Sequence, residues 1–155
     1  MGKTATKFTT SIGTLRAECQ THVFAIAELY GIKKPLVDQV NAQMVIMDGV
    51  AEKHMPGGMQ TEGSEERVEK DPAYIKAAAI MDAANLKIMS ADQKLRSSKA
   101  ALQTALKTLK EENDKFGKYV ITKKAKWLGT KNSVPAAEAC VKATKEYIDR
   151  CVLML

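Results

Sequence analysis

The sequence predicts an all-α fold, a helical bundle of four to five helices that includes one long helix. Three observations carry this. Ala, Leu, Lys and Met are abundant while aromatic residues make up 5% of the chain, and unbranched side chains lose little rotamer freedom on a helical path. Apolar residues recur at steps of three and four along most of the sequence, which is the spacing of a helix face. Runs of β-branched and aromatic residues with alternating polarity, the mark of strands, are nearly absent. The 155 residues suit a single all-helical domain over 1–155, long enough to bury a core without disulfides or metals.

The first apolar stripe is Phe8, Ile12, Leu15, Cys19, Val23, Ile26 and Leu29. Gly31 supplies a C-terminal cap, Lys33 and Lys34 lie beyond it, and Pro35 suits the first turn of a next helix. That second helix carries Leu36, Val37, Val40, Met44, Met47, Val50 and Met55. A short link between two such helices predicts an antiparallel helical hairpin over 8–54. Residues 56–71, "PGGMQTEGSEERVEKD", read as an acidic exposed loop with room for one helical turn from Ser64.

The strongest pattern follows "DPAY", where Asp71 is a good N-cap and Pro72 a good first helical residue. Tyr74, Met81, Ile88, Leu95, Leu102, Leu109 and Phe116 come at intervals of seven. Three positions further on the residues are Ala77, Ala84, Ala91, Ser98, Ala105 and Glu112, mostly small. A seven-residue repeat of large and small side chains holds one stripe of a helix against a partner. The prediction is a long helix over about 72–116, with a kink near 90–98 as the alternative. Its stripe is an interaction seam whose partner is the rest of the chain or another subunit. Beyond Gly117 the residues 118–155 read as basic C-terminal helices. One is short and closes at Gly129; the last starts near Ser133 with the stripe Ala136, Ala139, Cys140, Ala143, Tyr147, Ile148 and Cys151.

Chemistry-bearing motifs are scarce. The histidines, His22 and His54, offer no His-x-x-x-His pair, and no nucleophile elbow or Cys-His signature appears. The reading is therefore of no enzyme, no catalytic residue, no metal, no cofactor and no small-molecule substrate. Cys19, Cys140 and Cys151 are odd in number without CxxC spacing, which suits a reduced, intracellular compartment. No apolar run is long enough for a membrane span.

Charge is more telling. Of the net +6, residues 1–34 carry +3, residues 35–72 carry −5 and residues 73–155 carry +8. The densest basic patch is Lys118, Lys123, Lys124, Lys126 and Lys131 with Trp127 among them, a composition suited to phosphates with stacked bases or to an anionic membrane surface. The opening MGKTAT places Gly2 in a myristoylation pattern. These features point first to a non-catalytic structural or assembly protein associating with copies of itself or with a protein partner. The alternatives are a backbone-directed nucleic-acid-binding protein using the basic C-terminal half, and a myristoylated peripheral membrane adaptor. The expected location is cytoplasmic, either membrane-peripheral or within a large assembly.

Overall fold

The computed structural model describes residues 3–124 and 133–155. Its elements are α1 (Lys3–His54), a 3-10 turn (Pro56–Gly58), α2 (Ser64–Lys70), α3 (Pro72–Lys124) and α4 (Ser133–Val152), with no strand among the described residues. The all-α architecture with a long helix is as expected. The chain, read from its sequence as one domain, divides into two compact units, one of Met1–Ala27 with Arg96–Leu155 and the other of Glu28–Leu95.

In the first unit α1, α3 and α4 share a core. Ala5, Ile12, Cys19 and Ile26 of α1 are buried at intervals of seven, so the repeat seen in α3 runs in α1 as well. On α3 Leu102, Leu109 and Phe116 are fully buried. Phe8 stacks on Phe116 with ring centroids 5.2 Å apart and tilts against Tyr119 at 5.5 Å. The third helix, α4, buries Ala137, Thr144, Ile148 and Cys151. The expected stripe is thus corrected at Ala136, Ala139 and Ala143, which are exposed. Thr144 can replace them because its hydroxyl donates to the Cys140 carbonyl at 2.8 Å, which removes the cost of burying it.

Two polar contacts fix α4. The Tyr147 hydroxyl donates to Gln20 Oε1 at 2.9 Å, with the Arg16 carbonyl a second acceptor at 3.3 Å, and the Arg16 guanidinium lies 4.7 Å from the ring centre. Asn113 Nδ2 donates to the Val141 carbonyl at 3.1 Å. Gly117 does not end a helix, as expected from sequence, but lies within α3 facing α4, where a Cβ would meet Val141 Cγ1 at 3.6 Å.

The second unit corrects the sequence reading most. Residues 8–54 are not a hairpin: Gly31 and Pro35 both lie inside the 52-residue helix α1. Proline removes one backbone hydrogen bond and costs about 3 kcal/mol in a helix interior. Both residues are exposed, so water reaches the Gly31 carbonyl that Pro35 leaves without its donor. The seven-residue spacing continues through this punctuation, as Leu29, Leu36, Gln43 and Val50 and as Lys33, Val40 and Met47, all buried or half-buried. Each half-buried aliphatic side chain contributes about 1 kcal/mol, so several together outweigh the proline. Lys33 Nζ also pairs with Asp92 Oδ1 of α3 at 2.7 Å.

The chain turns after α1 through Gly57 and Gly58, at φ of 66° and 77°. The expected loop 56–71 is partly ordered as α2, which buries Val68 and Ser64; the Ser64 hydroxyl accepts the Thr61 N–H at 3.1 Å. Asp71 then starts α3, its Oδ1 accepting the Ala73 N–H at 2.9 Å and its Oδ2 the His54 Nε2 proton at 2.9 Å. From Pro72 the helix runs unbroken past 90–98 to Lys124, so there is no fold-back there and residues 118–124 continue α3; the rest of the short helix expected up to Gly129 lies outside the described residues.

Two measurements test this account. Pro35→Ala is expected to raise stability by about 1–3 kcal/mol in urea denaturation, because it restores an i→i−4 bond in a continuous helix; a loss of stability would restore the predicted turn. The His54 hydrogen bond, followed by the Ala73 N–H and outweighing burial, holds the Asp71 carboxyl below its ordinary 3.8. A depressed carboxylate stabilises above its unfolded pKa and loses that contribution as pH falls through the folded value. The stability gap between wild type and Asp71→Asn should therefore be constant above about pH 5 and close below about pH 4.

Candidate interaction surface

The seven-residue seam is used inside the chain. Leu95, Leu102, Leu109 and Phe116 are buried, and Tyr74, Met81 and Ile88 are half-buried. In the Glu28–Leu95 unit the small positions Ala77, Ala84 and Ala91 go deepest, which lets two helix backbones approach closely. The seam therefore presents no free stripe to another subunit at its buried positions. Polar residues join it too: His22 and Lys33 occupy seam positions of α1, half-buried.

The basic patch is only partly described. Lys118 is exposed on α3, and the ammonium of Lys123 lies 6.0 Å from the centre of the Tyr119 ring. Lys124 pairs with Glu138 of α4 at 2.8 Å, which ties two helices together and takes up part of its charge. Lys126, Trp127, Lys131 and Gly2 lie outside the described residues. Cys19 and Cys151 are core residues and Cys140 is half-buried: burial, reinforced by Cys151 and Glu18, pushes the Cys19 thiol up to about 11, and burial beside Cys151 raises Tyr147 as well. Among the described residues no group of three or more His, Cys, Asp and Glu is placed to hold a metal ion, and no helix is long and apolar enough to cross a membrane.

What sequence reasoning missed is the outer surface of the Glu28–Leu95 unit. Let a mark Lys33, Val40 and Met47 on α1 and Tyr74, Met81 and Ile88 on α3, with the other heptad letters following. A solvated helix pair carries charges at b, c and f. Here apolar side chains stand there or beside them: Ile75 is 54% exposed, Leu86 68%, Met89 66%, Met44 48% and Val45 71%. The signal was available in principle, since Ile75, Leu86 and Met89 form their own i, i+11, i+14 row. The stronger seam concealed it.

The two units differ in what covers the e positions. In the first, α4 lies over them: Leu106, Asn113 and Val120 of α3 are buried, and Tyr147 reaches Arg16 of α1. In the second, Val37, Met44, Ala78 and Asn85 occupy the same letters; Met44 and Asn85 are exposed and Val37 and Ala78 half-buried, and the third helix of that unit is the seven-residue α2. Compared with protein-family models, curated proteins and solved structures, the chain matches none.

Two leucines of α3 separate the buried seam from the outer surface. Leu102→Ala should cost about 2–5 kcal/mol in chemical denaturation, as a fully enclosed leucine does. Leu86→Ala should change stability by no more than about 0.5 kcal/mol. Equal costs would contradict the division drawn between the two faces.

Proposed function

We propose that this is a non-catalytic assembly protein that associates with copies of itself through the outer surface of its Glu28–Leu95 unit. The observation that carries the reading is the row of exposed apolar side chains, Ile75, Leu86 and Met89 on α3 with Met44 and Val45 on α1. Leu86 and Met89 lie one turn apart on α3, and a contact that displaces water from such side chains gains about 25 cal/mol for each Å² buried. The seam, fully engaged within the chain at Leu102 and Leu109, supports the fold, and the surface outside it supports association.

A second reading rests on charge. Residues 1–27 with 96–155 carry sixteen basic and seven acidic groups, a strong bias toward polyanions. Nucleic acid bound there would be held by lysine contacts to phosphates, and its affinity would fall steeply with salt.

Light scattering on the purified protein tests the first reading. The mass should rise with concentration above the 17.0 kDa of one chain. Leu86→Glu with Met89→Glu should return it to one chain with helix content unchanged. A wild type that stays at one chain throughout would reject self-association, and co-eluting polynucleotide that salt removes would favour the second reading.

A further inference from the structure

The Glu28–Leu95 unit has two flanks of different character. In an antiparallel helix pair the g positions of both helices lie along one flank and the e positions along the other, with c beside g and b beside e. Two grooves identify the g side. One, of about 430 Å³, has Leu29, Ile32 and Leu36 of α1 opposite Lys87, Ala91 and Lys94 of α3. The other, of about 340 Å³, has Ile46 of α1 opposite Ala73, Lys76, Ala77 and Ile80 of α3. The Lys33–Asp92 ion pair identifies the e side.

Charge is segregated between them. Across the g and c positions of both helices in this unit the charged residues are Lys53, Lys76, Lys87 and Lys94 against one acid, Glu28. Across e and b they are Asp48, Asp82 and Asp92 against Lys34, and Asp92 is engaged by Lys33. The basic flank is grooved and floored by aliphatic side chains. The acidic flank carries the projecting apolar groups Met44, Ile75 and Met89, each about half exposed or more. Two copies meeting acidic flank to acidic flank would set Asp48 and Asp82 against their own kind, and like charges across an interface are penalised.

We propose that copies of this protein stack face to back, the acidic e/b flank of one Glu28–Leu95 unit seated on the lysine-rimmed grooves of the next. The occupant of the grooves is thus a second copy of this chain. Apolar side chains of one flank fill the grooves of the other, and Asp48 and Asp82 approach Lys76, Lys87 and Lys94. A contact between two different surfaces of one molecule is heterologous. It leaves a free flank of each sign at the ends, so association continues until a ring closes or a filament grows.

This inference rests on the self-association proposed above, and complementary charge reversal separates the two. Lys76→Glu with Lys87→Glu turns the groove rims acidic and, with Glu28, outnumbers the remaining Lys53 and Lys94; Asp48→Lys with Asp82→Lys makes both flanks basic. All four positions are exposed, and circular dichroism should show unchanged helix content. Each double variant alone should self-associate about tenfold or more weakly than wild type, since like charges now face each other. Mixed in equal amounts, they should regain the wild-type mass as alternating copies. Variants that assemble as well as wild type, such as a two-fold pairing that leaves one flank free, would overturn the stacking mode while leaving self-association standing. So would a mixture that stays dissociated. A wild type that remains at the mass of one chain would overturn both.

Discussion

The structure depends on a single constraint, that α1 and α3 keep their seven-residue repeats against each other. Helix propensity alone does not hold helices of this kind in water; packing of an apolar stripe does. That requirement explains why α1 passes through Gly31 and Pro35. Local signals at those residues favour a break, yet breaking there would take Leu36, Val40, Met47 and Val50 off the stripe they share with Leu29 and Ile26. Tertiary burial overrides a penalty of about 3 kcal/mol because it acts over several turns at once.

The same constraint sorts the residues into two kinds of company. Where α4 is present, the large members of the α3 repeat, Leu102, Leu109 and Phe116, reach zero exposure. In the other unit Tyr74, Met81 and Ile88 remain half-exposed and the alanines between them are the enclosed residues. A pair of helices has one line of contact and cannot enclose a large side chain on every side, whereas three helices can. Asn113 belongs to this account. It is buried beside α4, its Nδ2 satisfied by Val141 and its Oδ1 without a protein partner. A half-satisfied buried amide weakens a core relative to leucine but resists alternative alignments of the helices around it.

Much of this was legible in the sequence. The helical class, the start of α3 at Asp71–Pro72, the start of α4 at Ser133 and the repeat from Tyr74 to Phe116 follow from spacing and capping alone. The break expected at Gly31–Pro35 was not there, because propensity describes a segment in isolation and says nothing of the partner across it. The repeat in α1 was harder to see than that in α3 because His22, Lys33, Gln43 and His54 interrupt it with polar side chains. Those residues find places at the contact through particular partners, Asp92 for Lys33 and Asp71 for His54. The proposed association surface was the least legible part. Exposure is a difference between what a helix could bury and what its neighbours leave open, and no pattern along one helix contains the second quantity.

The distribution of charge bears on why a helix pair with so much apolar surface would assemble in an ordered way. Apolar burial is non-directional, so Met44, Ile75 and Met89 by themselves favour any contact that hides them. Direction must come from groups that penalise wrong arrangements. The lysines at g and c and the aspartates at e and b supply this in the proposed stacking, since flanks of like sign repel and flanks of unlike sign attract. Such groups add little affinity while exposed. Their effect is on which of several apolar contacts survives, and on the rate at which copies find it in dilute salt. In the proposed stacking, mixed surfaces of this kind, apolar for strength and charged for choice, would specify both that copies meet and how they are oriented.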